Sequence, residues 1–217
     1  MEDNVIKVPY VEDNTIKDAA DISYIIEETG TRNTIDSLNW EQYPYHPLTT
    51  FSMAHSGEYL YVDFFVRCNY LRGFYDKTNS PVEEDSCVAI YLQPEGLDKY
   101  YALSFNCIGT IKGEVVRSDG TREMMAPESL AGVMRVCSVG NRPFRELEGL
   151  FSWNVAVRIP LELLGVKVPV VTPVVMKGNF YKCAASTSQS HYLSWCPVHS
   201  PQPDFHRPES FGTIILE

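Results

Sequence analysis

Three histidines, His191, His199 and His206, crowd the stretch "HYLSWCPVHSPQPDFHRPESFG". A catalytic zinc takes three nitrogen or oxygen ligands from a rigid scaffold. These histidines share no helical or strand face, and no H-E-x-x-H occurs, so they read as surface or structural residues. Cys196 stands near His191 and His199, but a nucleophilic cysteine needs an electropositive, partly exposed setting. "SWCP" reads instead as a strand ending at Pro197. Glu83, Glu84 and Asp85 run together before a strand. Adjacent acids cannot flank one sugar from different elements, as glycosidase carboxylates do. A solvated turn is expected there, and calcium is the one cofactor the run suggests, because that ion accepts several carboxylate and carbonyl oxygens. No nucleophile, base and orienter are legible together, so the chain is expected to be non-catalytic.

Aromatic and amide side chains suit a different task. A sugar presents apolar C–H faces ringed by hydroxyls, so its binder needs aromatic platforms with a few fixed donors and acceptors. Phe, Trp and Tyr make up 12% of the chain, and core packing accounts for most of them. It accounts less well for "PDFHRPESFG", where Phe205 sits between Asp204 and His206-Arg207 and is boxed by Pro203 and Pro208. The two prolines limit the loop's freedom, which lowers the entropy lost when a ligand orders it.

The composition agrees with a binding domain and excludes some partners. The chain has 217 residues, 44% hydrophobic and 21% charged, with a formal net charge of -10. That field repels a phosphate backbone, and no Lys/Arg cluster offsets it, so nucleic acid is not an expected partner. No run approaches the roughly 20 apolar residues of a membrane helix, and "MEDNVIKVPY" carries no visible signal peptide. Six cysteines, Cys68, Cys87, Cys107, Cys137, Cys183 and Cys196, form no C-x-x-C pair. Most are expected to be free thiols packed as small hydrophobes.

The elements that must hold these residues are mostly strands. In "EYLYVDFFVRC", Leu60, Val62, Phe64 and Val66 alternate with a mixed face, as in a half-buried strand. "DSCVAIYLQP" alternates Val88, Ile90 and Leu92 against Ala89 and Tyr91. "FSWNVAVRIP" puts Trp153, Val155, Val157 and Ile159 on one face. "YYALSFNCIGTIKGEVVR" is a long strand region in which Gly109 and Gly113 are expected bulges or bends. "VIKVPYV" reads as an edge strand limited by Pro9, "SDGT" as a turn, "LELLG" as one helical turn stopped by Gly165, and "APESLAGVMRV" as carrying a short helix. Short strands without long crossover helices predict an all-β antiparallel sandwich. Residues 1–35 are acidic and weakly patterned and are expected to wrap the outside of one domain over residues 36–217.

Several stretches, in this order, resemble the family 9 carbohydrate-binding modules and their family 9-like bacterial relatives: "LNWEQYPYHP", "FSMAHSGEYLYVDFFV", "EEDSCVAIYLQP", "YYALSFNCIGTIKG", "WNVAVRIPLELLG", "GNFYKCA", "LSWCPV" and "PDFHRPESFGTIIL". The resemblance runs from Trp40 to Glu217. It implies a DOMON-like sandwich of immunoglobulin-like layering, and a non-catalytic role in recognising a glycan or a sugar chain end beside polysaccharide-degrading glycoside hydrolases.

The resemblance also implies a sugar held between two aromatic rings. Phe205 occupies the place of one ring, with Arg207-Pro208 and Phe211-Gly212 following at matching spacing. The other ring's place falls at Val82, and a carboxylate often found on the next strand falls at Ala89. Polar positions fall on Ser104, Asn106 and Lys182. His206 and Arg207 are expected donors, Arg207 the better for fixed planar hydrogen bonding. Tyr91 is a candidate replacement wall. With one wall missing, the expected affinity is near millimolar, roughly 4 kcal/mol. Two other readings follow from the same residues. One is a protein-binding sandwich with a decayed sugar site. The other is a haem carrier of DOMON type using Met53, His55 and Met176, although no haem attachment motif is present.

Overall fold

The computed structural model describes residues 4–12, 20–171 and 173–217. Chain order begins with β1 (Val5–Val8), α1 (Ala20–Thr29), β2 (Asn33–Thr34), β3 (Ser37–Leu38), β4 (Leu48–His55) and β5 (Tyr59–Gly73). It continues with β6 (Cys87–Pro94), β7 (Lys99–Asn106), β8 (Ile111–Arg117), β9 (Arg122–Met124), α2 (Pro127–Leu130) and β10 (Met134–Cys137). It ends with β11 (Phe144–Pro160), β12 (Val174–Ala184), β13 (His191–Ser194) and β14 (Gly212–Leu216).

Two sheets form an all-β sandwich. The larger runs β1-β14-β12-β6-β7-β8-β9, with β13 and β3 joined to the end of β12. The smaller runs β10-β11-β5-β4-β2. Pairing between these strands is antiparallel except for β1 on β14, which is parallel.

Period-two patterning decides which side chains meet between the sheets. Leu60, Val62, Phe64 and Val66 of β5 are fully buried, as are Trp153, Val155, Val157 and Ile159 of β11. Val88, Ile90, Leu103, Phe105 and Phe180 answer them from the larger sheet. Phe51 of β4 stacks on Phe180 of β12 with centroids 3.8 Å apart, which ties the two layers directly. Cys68, Cys87, Cys107, Cys183 and Cys196 are buried, and all six thiols are free.

The N-terminal region holds one element the sequence did not announce. Ile22 and Ile26 lie one helical turn apart on α1, giving a narrow apolar stripe. Both are buried against Ala54, Tyr61 and Ala156 on the outer face of the smaller sheet. Weak overall amphipathicity hid this helix, because two isoleucines suffice when the sheet supplies the rest of the contact.

Gly113 is a second departure from expectation. It is no bulge: β8 stays in register with β7, Gly113 opposite Leu103. Its missing Cβ makes room for α2, since a Cβ there would stand 2.6 Å from Leu130 Cδ2. Gly109 does turn the chain, at φ +81°.

The last strands set up the site. β14 pairs with Val174–Gly178 of β12, whereas β13 pairs with Tyr181–Ala184 of the same strand. The chain between β13 and β14 leaves the sheet edge and lies on the larger sheet's outer face. There Val198, Phe205 and Phe211 pack with Trp40, Ala89, Tyr91, Tyr100, Ala102 and Tyr181.

Candidate functional site

Directly opposed residues of paired strands share a face. Ala89, Ser104, Lys112 and Tyr181 form one cross-strand row, and Tyr91, Ala102, Glu114 and Asn179 form the next. Both rows point away from the sandwich core, under the Pro203–His206 segment. Between row and segment lies a cavity of about 250 Å³. Ala89, Tyr91 and Ser104 give its floor. Asp204, Phe205, His206 and Tyr192 close one side, and Glu83, Lys112, Glu114 and Arg122 supply charge on the other.

Phe205 is held rather than loose. Its ring stacks on Tyr181, centroids 4.2 Å apart and planes 17° from parallel, and is flanked by Trp40 and Tyr192 at 6.1 and 6.2 Å. Tyr181 Oη donates to the Phe205 carbonyl at 3.1 Å, and the His206 amide donates to Asp204 Oδ1 at 2.9 Å. The latter is an Asx-type turn, in which the aspartate carboxylate mimics a backbone acceptor.

His206 bridges loop and floor. Its Nδ1 lies 2.9 Å from Tyr100 Oη, and its ring sits 5.1 Å from that of Tyr91. Burial, and then the nearby Arg122, pushes its pKa down to about 4. The ring is therefore neutral near pH 7, and its 3.9 Å approach to Glu114 is not an ion pair. Glu114 has Lys112 Nζ at 3.8 Å, also beyond hydrogen-bond length. Lys112 bonds Glu83 Oε1 at 2.9 Å, leaving Glu83 Oε2 without a partner. Tyr91 is buried, and desolvation raises its phenol well above the ordinary range, so it stays a neutral donor and acceptor.

Among the residues singled out from sequence, Phe205, His206, Tyr91 and Ser104 line this cavity, and Asn106, Lys182 and Arg207 do not. Asn106 is fully buried: its Nδ2 donates to Tyr75 O and Asp85 Oδ2, and its Oδ1 accepts from the Thr110 amide. No polar atom of that amide is left for a ligand. Lys182 points into the core, because its neighbours Tyr181 and Cys183 take the outer face and strand alternation sends it inward. Arg207 Nε lies 3.0 Å from Asp204 Oδ2, in an ion pair whose N–H is not aimed at the oxygen. Tyr91 is floor rather than wall. The second ring at the cavity is Tyr192, whereas Val82 is fully buried with Cys87 and Cys183.

Tyr192, Lys112, Glu114 and Arg122 were missed by residue-level reading. Lys112 and Glu114 had a usable signal, since they alternate with Ile111 and Gly113 in "IKGEVV" and so must share the outer face. Arg122 had none, because only hairpin closure at Gly120 brings β9 beside them.

The acidic run does not fit a calcium ion. Glu83 faces Lys112, Glu84 accepts from Tyr75 Oη at 2.7 Å, and Asp85 is held by Arg72 Nε and the amides of Phe74 and Tyr75. Among the described residues no three His, Cys, Asp or Glu side chains converge to hold a metal. The three clustered histidines diverge: His191 faces the core, His199 is exposed and His206 meets Tyr100. Cys196 is buried, and desolvation raises its pKa, the reverse of an activated thiol. The haem candidates fit no better: Met53 and Met176 are packed in the core, and His55 Nε2 donates to the main-chain oxygen of Glu217 at 2.8 Å.

Three comparisons bear on this geometry. The model of carbohydrate-binding family 9 matches residues 21–216. A candidate carbohydrate-binding protein from Bacteroides uniformis ATCC 8492 superposes with a TM-score of 0.94 at 30% identity, over 100% of both chains. A family 9 carbohydrate-binding module from Caldicellulosiruptor kristjanssonii shares the fold. Its glucose complex has a TM-score of 0.55 at 16% identity, over 99% of this chain and 96% of that one. Its cellotriose complex gives 0.53 at 17%, over 99% and 94%. No functionally curated protein matches.

Proposed function

The chain belongs to carbohydrate-binding family 9, and from that membership we propose that the cavity under Phe205 holds the terminal sugar of a glycan. The observation that carries this is a half-buried aromatic ring, fixed against Tyr181, standing over a polar floor. Phe205 and Tyr192 offer apolar surface to a sugar face. Lys112 and Arg122 donate to hydroxyls, Glu114 accepts, and Ser104 and Tyr91 do both. A neutral polyol needs that mixture, because a buried hydroxyl left without a partner costs about 1–3 kcal/mol. At about 250 Å³ the cavity is smaller than the sites that enclose drug-sized ligands, which favours one sugar ring at a chain end.

In this reading the domain is non-catalytic and acts beside polysaccharide-degrading enzymes, lending them affinity for their substrate. Calorimetric titration of glucose, cellotriose and a broader oligosaccharide panel tests it. The expected affinity is near millimolar, and Phe205→Ala should weaken it about tenfold, the scale of one lost stacking contact. Sugar binding that survives Phe205→Ala unchanged removes Phe205 as the platform. A protein that binds no sugar at all returns the face to protein recognition.

A further inference from the structure

Beyond Tyr192 the surface does not flatten. Tyr43 packs edge-on against Tyr192, centroids 4.9 Å apart, and borders a cleft of about 490 Å³ that reaches Tyr45 and the Ser188–Ser190 turn. Ser188 also lines a cleft of about 640 Å³ formed with Arg72, Phe74 and Arg145. Phe74 and Arg145 in turn border a further one of about 490 Å³ that includes Tyr75. These three clefts follow one another through Ser188 and then Phe74 and Arg145, and the Tyr43–Tyr192 contact sets the first of them next to the Phe205 cavity, so together they trace one path across the surface.

The groove is built and fixed. Phe74 is 48% exposed, yet its surroundings are already paired. The Arg72 guanidinium stands 5.2 Å from its centroid and is anchored on Asp85 at 2.9 Å. Tyr75 meets Phe74 edge-on at 5.3 Å and donates its hydroxyl to Glu84. Across the groove, Glu146 accepts from both the amide and the hydroxyl of Ser188, pinning that turn. Two groups remain without partners. Arg145 makes no hydrogen bond or ion pair among the described residues, and Gln189 Oε1 is buried and unsatisfied.

An exposed, immobilised ring beside an unpaired guanidinium is preorganised for a hydroxyl-rich chain. The polar turn on one wall and rings on the other also suit a sugar backbone better than an apolar protein face. We propose that this groove binds the inner units of a linear oligosaccharide whose end lies under Phe205. The inference rests on the reading of that cavity as a sugar site.

The test grades chain length on an array of oligosaccharides, from one to about six units, and measures affinities in solution for the series that binds. Wild-type affinity should rise about tenfold from the shortest binder to the longest, roughly the gain of one added stacking contact. Phe74→Ala/Arg145→Ala should abolish that rise and leave the shortest binder unchanged, whereas Phe205→Ala weakens every length. Affinity independent of length overturns the groove and leaves the terminal site standing. So does a double variant that weakens short and long chains alike. Absence of binding across the whole array overturns both readings.

Discussion

Lys182 donates to His191 Nε2 at 2.9 Å in the space between the two sheets. The direction follows from the tautomer: His191 Nδ1 lies 2.8 Å from the Gln189 carbonyl and must carry the proton there, so Nε2 accepts. Lys182 also donates to the Cys183 carbonyl and lies 5.7 Å from the Trp153 ring. No carboxylate stands among these partners. Desolvation therefore lowers the Lys182 pKa, and burial together with the lysine's charge lowers that of His191 well below its ordinary value.

Such a pair is costly to break and easy to replace. His191→Ala strands the amine and should cost about 3 kcal/mol, while Lys182→Met/His191→Leu should be neutral or stabilising. Urea titrations at pH 7 measure both. The same double variant should bind sugar like the wild type, because Lys182 faces the core and not the cavity. A loss of affinity without a loss of stability would place Lys182 back in the site.

Two buried groups pull the pH profile in opposite directions. Asp63, under α1, has its pKa raised by desolvation to about 6. Its folded form holds a proton that the unfolded chain has lost, so its contribution is full below the ordinary value of 3.8 and disappears as pH rises through 6. His206, lowered to about 4, behaves oppositely. Between pH 6.5 and 4 the unfolded chain takes up a proton there and the folded one does not, so stability falls as pH falls. His55 and His191 are also lowered and add to that trend. Asp63→Asn should therefore steepen the acid loss and stabilise the protein at pH 7 by about 2 kcal/mol, whereas His206→Phe should make it shallower. Thermal melts from pH 4 to 7 read both slopes, and a profile that neither substitution changes would contradict these assignments.

The strands were legible wherever one face met the core, because period-two alternation at Leu60–Val66 and Trp153–Ile159 follows from burial alone. The site was legible in part. Phe205 and His206 stood out by their proline-boxed loop, Tyr91 followed from strand parity, and Ser104 came from the family resemblance. Lys182 came from the resemblance, as a site residue only if its side chain faced outward, and its place between the outward-facing Tyr181 and Cys183 sends it inward instead. Arg122 and Tyr192 reach the cavity only through hairpin closure and the pairing of β13 with β12, contacts that no local pattern encodes. Helix α1 escaped because its apolar stripe is two isoleucines wide.

Val82 offers a check on the missing wall. The residue is fully buried against Cys87 and Cys183 and is flanked by Tyr192 and Phe205. A larger ring there would have to enter a packed interior. Val82→Trp should therefore cost about 1–3 kcal/mol by overpacking and should not improve sugar affinity. Tighter binding by this variant would show that the surrounding backbone opens readily enough to present the ring.

The two loop-facing arginines separate the cavity from its rim. Arg122 lines the cavity and makes no hydrogen bond or ion pair among the described residues, so its donors are available to a hydroxyl. Arg207 is drawn aside by Asp204 at 3.0 Å and by Glu209 at 3.9 Å. Truncating Arg122 removes donors from the bound state without stranding a protein group, which should weaken sugar binding about tenfold, the scale of one charged hydrogen bond. Truncating Arg207 frees a rim carboxylate that solvent screens, and affinity should stay within about twofold. Titrating one oligosaccharide against both alanine variants at two salt concentrations decides between them. Equal losses for both arginines would mean that the loop swings on binding and brings Arg207 over the sugar.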